Sequence, residues 1–378
     1  MKTLHICPDH NFVENSRLIF ERYFSGENIF IVNSNANKLN MIKNDADFIK
    51  IRLAEKNSIN ELDNICKQNN IKAIVLHGIS VCEYPIVAVL KKKYKCKVYW
   101  IFWGFELYQL LGYENNYPLI DKKFSLFDRE TYWLPNFISK ILRKVTKNYL
   151  PKTVKKLLPY IDYFCFWNRE DYNLLLKYYP SSIQFKFFAY EANYKDLMGS
   201  NMYPLKRTVS EKIMINHQAS FYGNHNTVFN KIANIDKNNL FTKIVPLSYG
   251  NKIIKEKILK IGTELFGDKF HPILRYLPKD EYFNKINDVD IAIFGQRRQE
   301  ASGNIIQMLK NGVKVFLRND NNLLKYYRNQ GYLIYSFEDD LLEIDDLTPL
   351  SMSEKEHNRK CYLRNMIFYD DFMPQFFD

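Results

Sequence analysis

The sequence predicts an α/β protein with two parallel sheets, one in each half of the chain. Three observations carry this prediction. The length of 378 residues exceeds one ordinary hydrophobic core, short β-rich segments alternate with helical patterns, and a polar stretch interrupts the alternation. That stretch is 191–210, which contains Gly199 and Pro204 and is typical of a linker. Two sheets of similar size predict two Rossmann-like domains that face each other across a cleft.

The individual elements follow from the same alternation. Seven strands are predicted in the first half, at 2–7, 29–33, 47–52, 73–78, 97–104, 163–168 and 184–190, with helices such as 58–70 and 81–94 between them. Six strands are predicted in the second half, at 212–217, 243–248, 271–277, 291–294, 314–318 and 332–336. The helices between those strands are 227–235, 251–265, 279–287, 303–310 and 321–329. The expected domains are 1–200 and 201–352, followed by a helical tail at 353–378 that can cross back to the first domain.

Positive charge is concentrated in residues 131–161. This segment holds seven Lys/Arg and no acid, in a chain whose net charge is +12. Its apolar residues recur at i, i+3, i+4 and i+7, and Pro151 suits the start of a second helix. Basic side chains over an apolar face fit the surface of an anionic membrane, although two ordinary surface helices are the alternative. The predicted membrane-facing residues are Lys140, Arg143, Lys144, Lys147, Lys152, Lys155 and Lys156.

The remaining composition indicates a globular protein of a reducing compartment. Hydrophobic residues make up 46% of the chain and charged residues 25%, and no run of about 18 apolar residues predicts a membrane span. The six cysteines are scattered without CxxC pairs, which favours free thiols over disulfides or a zinc site. The N-terminal residues resemble a first strand more than a signal peptide. A pI near 9.1 also fits nucleic acid, but no nucleic-acid-binding signature accompanies it, so none is expected as a partner.

Four segments carry a family resemblance. They read VYWIFWGFELYQL at 98–110, IMINHQASFYGNH at 213–225, IVPLSYG at 244–250, and RQEASGN at 298–304, the last followed by an apolar helix and a strand. In this order they resemble the bacterial 4-acetamido-4,6-dideoxygalactose (Fuc4NAc) transferases of enterobacterial common antigen synthesis. The match is incomplete, because Asn216 and His217 replace a Gly-Asn turn and the loop keeps only Arg298, Gln299 and Gly303.

The resemblance implies a fold and an activity. The fold is the glycosyltransferase-B architecture. The donor is a nucleoside diphosphate sugar, such as a dTDP-linked acetamido-dideoxyhexose, and the acceptor is a saccharide on polyprenyl diphosphate. Together with the basic segment at 131–161, such an acceptor predicts a peripheral protein on the cytoplasmic face of the inner membrane. A soluble two-domain sugar-nucleotide epimerase and a non-catalytic membrane- or polysaccharide-binding protein remain as alternatives.

The donor diphosphate would bind at the loop that precedes the helix at 303–310. Backbone N–H groups at a helix N-terminus stabilise phosphate, and a guanidinium adds fixed positive charge to a departing diphosphate. Arg298 is the predicted guanidinium, with Arg297 as the weaker candidate, and Glu300 is placed for sugar or ribose hydroxyls. The other predicted donor-binding residues are Ser302, Gly303, Asn304, Asn224, His225 and Tyr249.

The acceptor hydroxyl needs a base, and a carboxylate in the first half has the required chemistry. Glu106 follows a predicted strand and Asp9 follows the first strand, so these two are the candidates. The other predicted acceptor-side residues are His10, Arg17, His77, Trp103 and Gly104.

No cofactor or metal is expected. Asp288 and Asp290 spell the D-x-D pattern that other glycosyltransferases use to bind a divalent cation, but the pair precedes a buried strand. The two carboxylates are expected to end a helix and begin that strand. Positive charge for the leaving group would come instead from the helix terminus and Arg298.

Overall fold

The structure is a computed structural model that describes residues 2–34, 36, 38–121, 149–193 and 204–378. These residues form two compact units, each with its own sheet. The first unit takes its described residues from 2–117, 149–193 and 367–378, and the second from 118–121 and 204–366. The predicted fold class, α/β with two parallel-sheet domains, is confirmed.

Strands and helices alternate through both units. The first unit contains β1 (Thr3–Cys7), α1 (Asn11–Tyr23), β2 (Asn28–Val32), β3 (Ile49–Lys50), α2 (Ser58–Asn69), β4 (Ala73–His77), α3 (Glu83–Tyr94), β5 (Lys97–Ile101), α4 (Phe105–Glu114), α5 (Leu150–Leu157), β6 (Tyr163–Cys165), α6 (Arg169–Tyr178) and β7 (Gln184–Lys186). The second contains β8 (Lys212–Ile215), α7 (His225–Ile235), β9 (Thr242–Pro246), α8 (Lys252–Phe266), β10 (Phe270–Ile273), α9 (Lys279–Asn287), β11 (Ile291–Phe294), α10 (Ser302–Lys310), β12 (Lys314–Leu317), α11 (Asn322–Asn329), β13 (Tyr335–Ser336) and α12 (Met352–Arg364).

The strand pairs of both sheets are parallel. The order is β3-β2-β1-β4-β5-β6-β7 in the first sheet and β10-β9-β8-β11-β12-β13 in the second. In the first sheet Thr3 lies opposite both Asn28 and Ala73, which places β1 between β2 and β4. The strand order changes direction between β1 and β4 and between β8 and β11. Loops that leave such a point diverge, so a ligand site is expected after these four strands.

Burial on both faces explains why the strands read as continuous apolar runs. Every residue of β1 and β4 is buried, and so is every residue of β11. Helices cover the sheets with one apolar stripe each; α2, for example, buries Leu62 and Cys66. Separate apolar clusters form the core of each unit.

The division into units differs from the predicted boundaries in two places. Residues 118–121 belong to the second unit, and the chain returns to the first unit only at Ile367. The return is anchored by Phe376, whose ring lies 5.4 Å from that of Phe20 and 5.5 Å from that of Phe188. Helix α12 stays with the second unit, where Lys355 Nζ donates to the carbonyl of Lys206 at 2.8 Å.

Most strands are shorter than the sequence predicts. Strand β5 ends at Ile101 instead of residue 104, because the backbone turns away and Gly104 takes a positive φ of 102°. The predicted strand at 47–52 is reduced to Ile49–Lys50, since residues 45–47 form a 3₁₀ turn. Helix α6 has no counterpart among the predictions, although its Asn168 cap and two acids in its first turn are typical of a helix start.

The basic segment is described from Tyr149 onward, so Lys140, Arg143, Lys144 and Lys147 lie outside the described residues. Within α5, Val154 and Leu157 are fully buried, and the helix contacts α3 and α4. Lys155 pairs with Glu114 at 2.8 Å. The apolar face of α5 therefore packs against protein, which leaves charge as the means by which Lys152, Lys155 and Lys156 could contact a membrane.

Two further findings concern the described residues alone. None of their helices has both the length and the apolar character needed to span a bilayer. The six cysteines are free thiols, and five of them are buried.

Candidate functional site

Glu106 lies at the start of α4, beyond the end of β5, and its carboxyl group is fully buried. Its Oε1 accepts the backbone N–H of Ile79 at 3.2 Å and Nε1 of Trp100 at 3.4 Å. Burial raises the pKa of Glu106 to about 7, against the opposing effect of these hydrogen bonds. Glu106 thus binds the loop that follows β4, and it holds a proton more readily than an exposed carboxyl does.

A buried chain of hydrogen bonds runs along the first sheet to His77. Asn28 Nδ2 donates to the carbonyl of Phe24 at 2.7 Å and to Glu21 Oε1 at 3.0 Å, so Asn28 Oδ1 is left as an acceptor. Nε2 of His5 therefore donates to that oxygen at 3.2 Å, and Nδ1 of His5 accepts from Nε2 of His77 at 3.0 Å. The two imidazoles are neutral, because burial lowers the pKa of His5 to about 3 and that of His77 well below its ordinary value.

The chain continues from His77 to Trp103. Nδ1 of His77 accepts from the hydroxyl of Tyr190 at 3.0 Å, and the hydroxyl oxygen accepts Nε1–H of Trp103 at 2.8 Å. Every donor in this chain thus meets an acceptor, and both ring nitrogens of each histidine take part in it. His77 orients Tyr190 and, through it, the indole of Trp103. His5 and Tyr190 are not among the predicted site residues; the signal for them is a polar side chain within a predicted strand.

The other predicted acceptor-side residues have protein partners. Asp9 accepts the backbone N–H groups of residues 40, 41 and 42 at 2.6 to 3.1 Å, so its carboxylate closes that loop. His10 caps α1 by accepting the N–H of Phe12, and its ring lies 4.7 Å from that of Trp103. Arg17 pairs with Asp47 at 2.9 Å. The structure thus brings His10, Trp103 and Gly104 near the ends of β1 and β5, while Asp9 and Arg17 are tied to neighbouring loops.

In the second unit, polar side chains collect around Glu300 on the loop after β11. Arg298 Nε donates to Glu300 Oε2 at 3.0 Å, and its guanidinium lies 4.8 Å from the ring centre of Tyr222. Gln218, which follows β8, donates to Glu300 Oε1. His217 Nε2 lies 3.6 Å from the same oxygen. We call Gln218, His217, Tyr222, Arg298 and Glu300 the Glu300 cluster; it sits where the second sheet changes strand order.

The tautomer of His217 follows from its contacts. Nδ1 accepts from Gln296 Nε2 at 3.4 Å, so the proton lies on Nε2, which faces Glu300. Burial lowers the pKa of His217, against the opposing charge of Glu300, so the ring is neutral. The ring centre of Tyr249, a predicted donor residue, lies 6.5 Å from that of His217. The predictions give His217 no role. They do not name Gln218 or Tyr222, although both residues follow the same strand.

The predicted phosphate turn lies directly after the Glu300 cluster. Ser302, Gly303 and Asn304 form the first turn of α10, and Ala301 precedes them with a positive φ of 63°. Their backbone N–H groups are the free end of a helix and favour an anion. Arg298 reaches Glu300 through Nε and Nη2, so among the described residues Nη1 is the part of the guanidinium left for a ligand.

Asn224 and His225, two of the predicted donor-binding residues, are buried at the start of α7. Asn224 Nδ2 donates to the carbonyl of Gly295 at 2.9 Å, and its Oδ1 accepts the N–H of Asp121 at 3.0 Å, so the side chain joins three parts of the backbone. His225 begins α7, and both ring nitrogens are buried without a hydrogen-bond partner among the described residues. Burial lowers the pKa of His225 to about 3. The backbone at Gly295 packs closely against that of Gly223, since a Cβ on Gly295 would lie 2.3 Å from the carbonyl oxygen of Gly223.

Arg297, the weaker phosphate candidate, belongs to an ion-pair network. Its Nη1 lies 2.8 Å from Asp121 Oδ1 and its Nη2 2.7 Å from Asp320 Oδ2. The same Asp121 receives both terminal nitrogens of Arg318, at 2.8 and 2.9 Å. Arg297 is therefore engaged in holding residues 118–121 to the second unit.

The D-x-D pair lies between a helix and a strand, as predicted. Helix α9 ends at Asn287, β11 begins at Ile291, and both carboxylates are bound by protein groups. Asp290 Oδ2 accepts the N–H of Ser210 at 2.7 Å, and Asp288 pairs with Lys212.

Comparison with known proteins gives the fold. No family model and no curated protein sequence matches the chain. Among solved structures, a glycosyltransferase from Rickettsia africae is similar with a TM-score of 0.62 and 12% identity, over 99% of both chains. HepE of Anabaena, solved in complex with UDP and glucose, has a TM-score of 0.59 and 9% identity, over 99% of this chain and 98% of that one. The lipopolysaccharide outer core galactosyltransferase WaaB has a TM-score of 0.53 and 10% identity, over 100% and 96%.

The chain has the glycosyltransferase-B fold. Near-complete coverage of both chains means that the likeness includes both sheets and the C-terminal return. At identities of 12% and below, the likeness establishes this fold and nothing finer, since one fold supports many chemistries. The activity of this chain therefore depends on what its own residues can do.

Proposed function

We propose that the protein is a nucleotide-sugar-dependent glycosyltransferase whose donor site is the Glu300 cluster. The observation that carries the proposal is the position of Glu300, which faces Arg298, Gln218 and His217 at the point where the second sheet changes strand order. A carboxylate there can bind sugar or ribose hydroxyls. Arg298 Nη1 and the first turn of α10 can stabilise a leaving diphosphate. HepE, which shares the fold, was solved with UDP and glucose, in keeping with this choice of ligand.

Nucleotide binding tests this function through Arg298. A nucleoside diphosphate present at about 100 times its Kd should stabilise the protein by about 2.7 kcal/mol. We expect Arg298→Ala to remove most of this stabilisation, because the diphosphate loses its guanidinium partner. The measurement is a thermal-shift series with UDP, dTDP, GDP and CDP.

Arg275→Ala is the matched control for this series. Arg275 also pairs with a glutamate of the second unit, at 2.8 Å, but its side chain is 77% exposed and lies on the loop before α9. It should keep the full nucleotide shift. A full shift in Arg298→Ala would remove Arg298 from the donor site, and no shift with any nucleotide in the unsubstituted protein would overturn the proposed function.

For the finer identity, we propose a dTDP-linked acetamido-dideoxyhexose such as Fuc4NAc as donor and a polyprenyl-diphosphate-linked saccharide as acceptor, in the synthesis of a bacterial surface polysaccharide. Four segments, at 98–110, 213–225, 244–250 and 298–304, support this choice, because they resemble segments of the Fuc4NAc transferases in the same order along the chain. The test is product analysis with dTDP- and UDP-linked sugars. A nucleotide sugar that is isomerised without an acceptor would favour the epimerase alternative.

A lipid-linked acceptor requires contact with a membrane, and we propose that the basic segment provides it on the cytoplasmic face of the inner membrane. Lys152, Lys155 and Lys156 are its described part. Changing all three to Gln should weaken binding to phosphatidylserine vesicles by roughly 10- to 100-fold, since each charge near such a surface contributes about 1 kcal/mol and Lys155 is already paired with Glu114. Vesicle flotation measures the effect.

The control variant removes the same number of positive charges from a different part of the protein. Lys237, Lys252 and Lys260 are exposed lysines of the second unit, and their change to Gln should leave vesicle binding as it is. Equal loss in both triple variants would mean that net charge, and not the basic segment, determines binding. Unchanged binding in the first variant would contradict a docking role for α5.

A further inference from the structure

A cavity of about 100 Å³ lies at the carboxyl ends of the strands in the first unit. The loops after β1 and β4 diverge here, because the strand order changes direction between these two strands. Parallel sheets of this kind bind ligands at such a position. Loops after β1, β2, β4 and β5 all reach it. Its lining residues are Pro8, Asn33, His77, Gly78, Ile79, Ser80, Glu83, Trp103 and Phe105.

Glu83 supplies the carboxyl group of this cavity. It is the first residue of α3, its side chain is 3% exposed, and its Oε2 accepts the backbone N–H of Ser80 at 2.8 Å. The two carboxylates predicted from sequence do not line the cavity. Glu106 lies behind Gly78 and binds Ile79, and Asp9 closes the loop at 40–42. Glu83 is not among the predicted site residues, and its helix is predicted to begin two residues earlier, at residue 81.

Trp103 supplies a fixed aromatic wall. Its indole N–H is held by Tyr190, and Tyr190 is held in turn by His77. Gly78 lies against the indole: a Cβ there would lie 3.2 Å from Trp103 Cδ2, and its φ of +76° also favours glycine. Any larger residue would push the ring or the loop. An apolar ring face beside one buried carboxyl group is the combination that a saccharide requires, since its C–H face stacks on the ring and its hydroxyl donates to the carboxylate.

We propose that this cavity binds the acceptor saccharide and that Glu83 is the general base of the transfer. The inference rests on the proposed function and names the site of the second substrate. In the step itself, the acceptor hydroxyl oxygen bonds to the anomeric carbon of the donor while its proton passes to the Glu83 carboxylate. The bond between that carbon and the diphosphate oxygen breaks, and the nucleoside diphosphate leaves with the electron pair.

The surroundings of Glu83 suit a base that works near neutral pH. Burial raises the pKa of Glu83 to about 7, against the hydrogen bonds from Ser80. Among the described residues, the titratable groups near it are the thiols of Cys7, from β1, and Cys82, on the preceding loop, and the imidazole of His77, which lines the same cavity. Burial raises the pKa of both thiols and lowers that of His77, so all three are neutral neighbours. Turnover should therefore rise with pH through a limb near 7, as Glu83 loses its proton.

Glu83→Gln tests the proposal. The probes are UDP-glucose, UDP-N-acetylglucosamine and dTDP-glucose as donors, with octyl glycosides or water as acceptor, and the readout is release of the nucleoside diphosphate. We expect release to fall by about 10²- to 10⁴-fold and the pH limb near 7 to disappear, because the amide cannot take the proton. The thermal shift with nucleotide should stay as in the unsubstituted protein, since Glu83 and the Glu300 cluster belong to different units.

Two further variants keep the outcome decisive. Glu106→Gln is the matched control, a buried carboxyl of the same unit outside the cavity, and it should keep the pH limb. Glu83→Asp serves if the Gln variant does not fold; it shortens the side chain but keeps the carboxyl group, so the rate should fall and the limb remain. Release by Glu83→Gln at the unsubstituted rate, or loss of the limb in Glu106→Gln alone, would overturn Glu83 as base while leaving the nucleotide site intact. Absence of both nucleotide binding and release would instead count against the proposed function.

Discussion

Replacing Asp121 with Ala is expected to destabilise the second unit by about 3–5 kcal/mol, the usual cost of removing one partner from a buried ion-pair network. The carboxylate receives two nitrogens of Arg318 and one of Arg297, all within 2.9 Å. Arg318 is 5% exposed, and in the variant it would keep its ion pair with Glu338 but lose both hydrogen bonds to Asp121. Urea unfolding at pH 7 measures the effect, with fluorescence and circular dichroism followed together because two units need not unfold in one step.

Two comparisons make the Asp121 result specific. Asp121→Asn preserves the shape but not the charge, so it should lose a similar amount. Asp47→Ala breaks an ion pair with Arg17 in which the aspartate is 49% exposed, and it should cost less than about 1 kcal/mol. Equal losses at Asp47 and Asp121 would show that burial does not strengthen the Asp121 network.

The sign of the pH dependence at Asp121 follows from its partners. Burial acts to raise the pKa of Asp121, but hydrogen bonds from Arg318, Thr227 and Arg297, together with the charge of Arg318, outweigh it and hold the pKa below its ordinary value. The stabilisation is therefore complete above the unfolded pKa, about 3.9, and is lost as pH falls through the lower folded value. Asp121→Asn should lack this part of the acid sensitivity.

Glu106→Gln is expected to remove a loss of folding stability of roughly 3 kcal/mol that the unsubstituted protein suffers as pH rises. The pKa of Glu106 is raised to about 7, mainly by burial, whereas an unfolded glutamate titrates near 4.3. Between these values the folded protein holds a proton that the unfolded chain has released, so stability falls as pH rises through that window. A glutamine carries no proton to lose, so the variant should gain stability relative to the unsubstituted protein between pH 5 and pH 9.

Free energies of unfolding at pH 5, 7 and 9 test this expectation. Glu61→Gln, on the exposed side of α2, is the control for replacing a carboxyl by an amide. The difference between the unsubstituted protein and Glu106→Gln should grow across the series, while the Glu61 difference should not. If the free energies of unfolding of Glu106→Gln and the unsubstituted protein changed in parallel with pH, the Glu106 carboxyl would not be protonated in the folded state near neutral pH.

Local patterns in the sequence are enough to predict the two parallel sheets. Alternating β-rich and helical segments depend on neighbours within a few positions, so β11 and α9 were predicted with the bounds they have. The same local reasoning predicted that Arg298, Glu300 and the turn at Ser302 follow a strand, and parallel strands bring such loops to one edge of a sheet.

Which side chains are partners, and which are buried, depends on long-range contacts that appear only in the folded chain. His5 meets His77 across 72 residues and Asp121 meets Arg318 across 197, and no local pattern predicts pairings at such separations. Burial likewise distinguished three carboxylates of similar sequence context: Asp9 closes a loop, Glu106 is sealed behind Gly78, and Glu83 reaches the cavity. The physical reason is that helix and strand patterns depend on short-range spacing, whereas hydrogen-bond partners and pKa values depend on which distant segments exclude water from a group.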